Sequence, residues 1–228
     1  MKWFAIFFSM ITSIFGALPI THLFLAEKWV EINENYDESE KKAFYLGNLY
    51  PDIRYIGVST REKTHIPHLT IEDIKHTKDP FEKGVKLHSF IDDQRAIFIK
   101  NEKIVDVFEG VPKETQYMFL RLLEDEILFG QLSSVKPSSY FSIVQKYEIN
   151  DTITEDHVRV WHTLLSKYFQ CKPSSLLKKL SFFRQSYLGI SSETVQKWNV
   201  LLPIWVKDNQ IKNHVDALEE YFLFLFQQ

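Results

Sequence analysis

The chain has 228 residues, with 27 Lys+Arg against 30 Asp+Glu and a formal net charge of −3, which excludes a clamp that grips nucleic acid through a generally basic face. Hydrophobic residues make up 45% and charged residues 25%, and 7 Gly and 8 Pro are too few for a low-complexity or collagen-like chain, so the composition is that of a packed domain. Cys171 is the only cysteine, which removes intrachain disulfides and cysteine-based zinc ribbons.

The chain opens on one cation, Lys2, followed by an almost unbroken apolar run over residues 3–15. That is the length of a secretory hydrophobic segment and short of the roughly 20 residues of a membrane span. Residues 1–17 are therefore read as an export signal cleaved somewhere in 13–18, with an uncleaved N-terminal anchor as the alternative and a helical domain over 18–228. Prolines at 51, 67, 80, 112, 137, 173 and 203 cut the remainder into helix-length pieces, and Asn-Gly and Asp-Gly hairpin turns are lacking, so the expected fold is all-α. Helices are predicted over residues 21–34, 38–49, 80–100, 113–129, 138–146, 154–169, 173–185, 192–201 and 204–226. The clearest start is Asp79-Pro80-Phe81-Glu82, where Asp79 caps and Pro80 fits the first helical position. In the last helix Val215, Leu218, Phe222 and Leu225 form one apolar stripe suited to a core.

Five of the eight histidines, His22, His65, His68, His76 and His88, fall in the first 88 residues. His88 and Asp92 are four apart in the helix capped by Asp79, so an imidazole nitrogen and a carboxylate oxygen can converge on one ion; an intrahelical surface pair is the plainer alternative. Gly84 extends the same row and lets a neighbouring helix come close, which explains a residue that costs a helix about 1 kcal/mol relative to alanine. Asp52 follows Pro51 at a helix end, His65 and His68 share a loop, and His22 follows Pro19-Ile20-Thr21. Together His22, Asp52, His65, His88 and Asp92 offer three nitrogens and two carboxylates, a set suited to zinc or another borderline transition metal.

The ordered set Pro19-Ile20-Thr21-His22, Leu46-Gly47-Asn48-Leu49-Tyr50-Pro51-Asp52, Thr64-His65 and Leu87-His88-x-x-x-Asp92 resembles the zinc-dependent phospholipase C family, which is related in fold to the fungal single-strand nucleases. The resemblance covers roughly residues 18–95. It implies a single all-helical domain holding up to three zinc ions that hydrolyse phosphate esters, with His22, Asp52, His65, His88 and Asp92 as ligands and the freed N-terminal residue as a further contact. Downstream the pattern departs: no histidine occurs between His88 and His157, and His157 and His162 are too far around a helix to share a face. A site of one or two zinc ions is therefore expected, with Glu124 or Asp125 as candidate replacements for the absent ligands.

Asp52 is the candidate catalytic carboxylate, orienting or deprotonating water, and Tyr50, Tyr55 and Phe90 are candidate wall residues. The expected partner is a phosphoester substrate, with phospholipid and transient membrane contact among the options. The rival reading is a non-catalytic exported helical protein whose metal site is degenerate or structural. A helical phosphohydrolase of the adjacent His-Asp type is disfavoured, since it needs a His-Asp dipeptide and none occurs.

Overall fold

The computed structural model describes residues 16–132, 137–181 and 190–228, and among these described residues it holds ten α-helices and no strand. The all-α expectation holds. The apolar run over 3–15 and the end of the predicted helix beyond 181 lie outside the described residues.

Helix α1 (Pro19–Asn33) is apolar on nearly every side, and Ile20, Leu23, Phe24, Leu25, Ala26 and Trp29 are all buried. A helix with this pattern must run through the core, and α1 is flanked by α2 (Glu38–Leu49), α5 (Pro80–Glu102), α6 (Gln116–Leu128) and α10 (Asn209–Phe226). No side chain at its own start caps it; Asp125 of α6 does so instead, accepting from the Ile20 and Thr21 N–H groups at 3.1 and 2.8 Å.

Helix α2 begins with a reciprocal cap between Asp37 and Glu40 and runs into a 3-10 segment, Tyr50–Ile56, that carries Asp52. Two short helices follow, α3 (Arg61–Thr64) and α4 (Ile71–Lys75). Helix α5 starts on the Asp79 cap, which accepts from the Glu82 N–H at 2.8 Å, and lies against α2 through Gly47 and Gly84. The second half of the chain adds α6, α7 (Glu155–Tyr168), α8 (Pro173–Ser181), α9 (Ser192–Trp205) and α10.

Most predicted helices recur with small boundary shifts; one does not form, and one predicted break is displaced. Residues 138–146 form no α-helix: the chain makes a 3-10 segment at Pro137–Ser142 and a separate turn at Lys146–Glu148, started by a reciprocal Gln145–Glu148 cap. The predicted break at Pro203 is also absent, since α9 carries that proline inside its last turn and α10 starts only at Asn209, capped by Asp208. The stripe on α10 is core: Val215, Leu218 and Phe222 are buried and Leu225 partly so. No helix among the described residues is long and apolar enough to cross a membrane.

Candidate metal centre

Three helices and one turn bring the five predicted residues to one place. His22 comes from the first turn of α1, Asp52 from the 3-10 segment after α2, His65 from the end of α3, and His88 and Asp92 from the middle of α5. All five are buried, with relative exposures of 1, 4, 9, 1 and 3% respectively.

His22, His88 and Asp92 each direct one ligand atom to within 4.8 Å of the others, and Asp52, His65 and His88 do the same. His22 Nε2 lies 3.2 Å from Asp92 Oδ1, His65 Nε2 3.3 Å from Asp92 Oδ2, and His88 Nε2 3.9 Å from an oxygen of each aspartate. A tetrahedral ion with ligand bonds of about 2.0–2.2 Å sets its donor atoms roughly 3.3–3.6 Å apart. The observed separations bracket that edge length.

The ring protons show how these atoms could receive a cation. His88 Nδ1 is 2.7 Å from the Asn48 carbonyl, an acceptor, so Nδ1 carries the proton and Nε2 presents a lone pair. The Thr64 hydroxyl donates to the Thr60 carbonyl at 3.2 Å, so its oxygen accepts from His65 Nδ1 at 2.9 Å and His65 Nε2 is a lone pair too. These two Nε2 atoms face each other at 3.1 Å, beside the carboxylate of Asp92. Acceptors turned on acceptors in a buried place repel one another, and a cation among them, a metal ion or a shared proton, relieves this. The ring of His22 stacks on that of His88 with centroids 3.8 Å apart, and neither of its nitrogens is in hydrogen-bond geometry: the 3.2 Å approach of Nε2 to Asp92 is off the donor axis. The donor set and its orphaned imidazole therefore fit a divalent metal ion.

Neighbouring groups hold the ligands. Asp92 accepts from the Ala17 N–H and from Arg61 Nη1, each at 2.9 Å. Asp52 accepts from Arg54 Nη2 at 3.1 Å, and the same nitrogen donates to the Tyr55 hydroxyl at 2.6 Å. Asn48, with its amide turned so that both ends are satisfied, donates to the His22 carbonyl and accepts from the His88 N–H. Burial pushes the Asp52 carboxyl above its ordinary range, against the pull of Arg54. Burial and the neighbouring His22 keep His88 neutral, the form a metal requires.

The proposed substitutes Glu124 and Asp125 do not join the cluster. Glu124 is held by Arg95, at 2.7 and 2.8 Å, and by His214 Nε2 at 3.1 Å, while Asp125 caps α1 and accepts from the Tyr168 hydroxyl at 2.7 Å. Helix α6 uses its acidic run to join neighbouring elements, since Glu126 likewise accepts from the N–H and hydroxyl of Ser174 at the start of α8. His162 pairs with Glu148, His157 belongs to the cap of α7, and His76 closes α4 through the Glu72 carbonyl. Of the candidate wall aromatics, Tyr55 stands beside the site through Arg54, whereas Tyr50 turns to Phe81 and Asn150 and Phe90 is buried in the core. Arg54, Arg61, Asn48 and Thr64 were not singled out from the sequence; only the place of Asn48 and Thr64 beside candidate ligands hinted at them. Comparison of the chain with family models, with curated proteins and with solved structures finds no match in any of the three.

Proposed function

We propose that the chain is a zinc-dependent phosphoester hydrolase resembling phospholipase C, with His22, Asp52, His65, His88 and Asp92 holding one or two ions. The observation that carries this reading is the convergence of the His65 and His88 lone pairs, 3.1 Å apart, on the carboxylates of Asp52 and Asp92. Two His and one or two carboxylates are borderline ligands of the kind zinc takes. The two groups of three share His88, whose Nδ1 is committed to Asn48, so its one remaining lone pair could serve only one ion and a second would have to be held by the other side chains.

When bound, such an ion supplies Lewis acidity towards water and towards a phosphoryl oxygen. The chain's own residues do the rest. Asp52, buried at the turn after α2 beside His65 and His88, is in this reading the base that takes the proton from the attacking water. Arg54 fixes the orientation of that carboxylate, and its guanidinium is itself fixed by lying 4.0 Å over the Tyr55 ring. His65 and Arg61 reach from the cluster to an open cavity through which a substrate can approach. The apolar N-terminal run is in this reading an export signal.

A structural ion is the second reading, favoured by the near-complete burial of all five side chains. Metal analysis of protein purified without chelator, combined with assays on bis-p-nitrophenyl phosphate and a phospholipid, separates them. Bound zinc with turnover supports the hydrolase, bound zinc without turnover supports the structural ion, and a metal-free protein that takes up none rejects both.

A further inference from the structure

We propose that Arg61 is the residue that recognises a phosphoryl anion at this site, and that its guanidinium holds Asp92 only until a divalent ion takes over that carboxylate. The inference rests on the hydrolase reading and adds its substrate-recognition residue.

Arg61 opens α3, whose four residues place it one helical turn before His65. Its side chain is 40% exposed, whereas the Asp92 side chain it touches is 2% exposed. The residue therefore spans the boundary between solvent and the buried cluster. Arg61 and His65 also line a cavity of about 250 Å³ together with Glu62, Ile66, Pro67, Ser89 and Asp93, so His65 belongs to both the cavity wall and the ligand cluster, and Arg61, bonded to Asp92, is the cation among acidic Glu62 and Asp93 there. Nη1 of Arg61 meets Asp92 Oδ2 at 2.9 Å, the same oxygen that lies 3.3 Å from His65 Nε2 and 3.9 Å from His88 Nε2. A cation bound among those imidazoles draws on the same carboxylate charge and repels the guanidinium. Arg61 is thereby released next to a site that has gained positive charge, with a planar fork of donors matched to phosphoryl oxygens.

Arg54 is a poorer candidate for the same task. Its side chain is only 13% exposed, and it is engaged by Asp52, the Tyr55 hydroxyl and the Tyr55 ring.

The competition predicts that one substitution moves two affinities in opposite directions, which a merely structural arginine would not do. The probes are zinc and inorganic phosphate, titrated by calorimetry into the full chain after chelator treatment. In the unsubstituted protein phosphate should tighten zinc binding, and zinc should tighten phosphate binding by the same factor. Arg61→Gln should bind zinc at least ~3-fold more tightly and phosphate at least ~10-fold more weakly, removing most of that coupling, while Arg61→Lys should fall between because it keeps the charge and loses the fork. Zinc binding without any response to phosphate in the unsubstituted protein overturns this proposal and leaves the metal site standing. Loss of both affinities in Arg61→Gln, or unchanged phosphate binding, overturns it as well. Failure of the unsubstituted protein to bind zinc removes the hydrolase reading, and this inference with it.

Discussion

Gly84 of α5 packs backbone to backbone against Gly47 of α2. A Cβ at Gly84 would stand 2.1 Å from the Phe44 carbonyl oxygen and 3.0 Å from the carbonyl carbon of Gly47, while one at Gly47 would stand 2.0 Å from the Phe81 carbonyl oxygen. All these neighbours are main-chain atoms, so neither position can take a methyl group without separating the helices. The contact sits one residue from Asn48 and one turn from His88, whose ring it brings to the Asn48 carbonyl. Gly84→Ala should cost about 1–3 kcal/mol despite alanine's better helix propensity, because overpacking against rigid backbone outweighs it. Zinc affinity should fall in the same protein. Urea unfolding and zinc titration check both, and full stability with normal zinc uptake would show that the helices can part freely here.

The two members of the α5 row should be indispensable to the ion. His88→Ala and Asp92→Ala are each expected to abolish zinc uptake, measured by metal analysis after dialysis, because both candidate groups use His88 and Asp92 is the carboxylate common to His22 and His65. His76→Ala should leave uptake unchanged, since that ring is exposed and bonds the Glu72 carbonyl. Equal effects from all three would reject the site. Zinc at 100 times its dissociation constant should stabilise the unsubstituted chain by about 2.7 kcal/mol, and neither α5 variant should show the corresponding rise in melting temperature.

Much of this was legible because it is written locally. The Asp79 cap, the proline after it and the i, i+4 spacing of His88 and Asp92 act within a turn or two of chain, so α5 could be placed from its own residues. Helices α3 and α4, four and five residues long, are too short to show a period, and α3 proved to carry Arg61 and to end at His65. The acidic run of α6 was ambiguous for a different reason. A carboxylate in an apolar helix needs a partner, but the sequence does not say whether that partner is an ion, an arginine or another helix's N-terminus. The fold assigns Glu124 to Arg95 and His214, Asp125 to α1 and Glu126 to α8.

The buried, neutral His88 should leave a mark on stability against pH. Its folded-state pKa lies well below the ordinary value while the unfolded chain titrates near 6.5. Above that value neither state is protonated there and His88 costs nothing. As pH falls through about 6.5 the unfolded state gains a proton that the native state refuses, so stability drops, by up to ~1.4 kcal/mol per pH unit, until the folded pKa is reached. Asp52, raised in the native state, slopes the other way, but it is present in both proteins of the comparison. In chelator-treated protein, urea midpoints between pH 7 and 5 should therefore fall more steeply for the unsubstituted chain than for His88→Gln. Parallel curves would mean that His88 accepts a proton in the native fold.

Asp125 couples the core to the metal centre without touching it. It supplies the acceptors that α1 lacks at its own start, taking the N–H groups of Ile20 and Thr21, the Thr21 hydroxyl at 2.6 Å and the Tyr168 hydroxyl at 2.7 Å, all in a buried setting. His22 is the next residue along α1, so the same bonds fix where its imidazole stands. Asp125→Ala would strand these donors away from water and should destabilise the chain by about 2–4 kcal/mol, near the sum of a lost cap and an unsatisfied buried group. Asp125→Asn keeps one carbonyl acceptor and should lose less. Zinc affinity should decline in the order unsubstituted, Asn, Ala, because the His22 ring depends on the start of α1. Denaturant unfolding and zinc titration of the two variants test the coupling. Lost stability with undiminished zinc affinity would show that the stack on His88, at 3.8 Å, is enough to hold His22 in place.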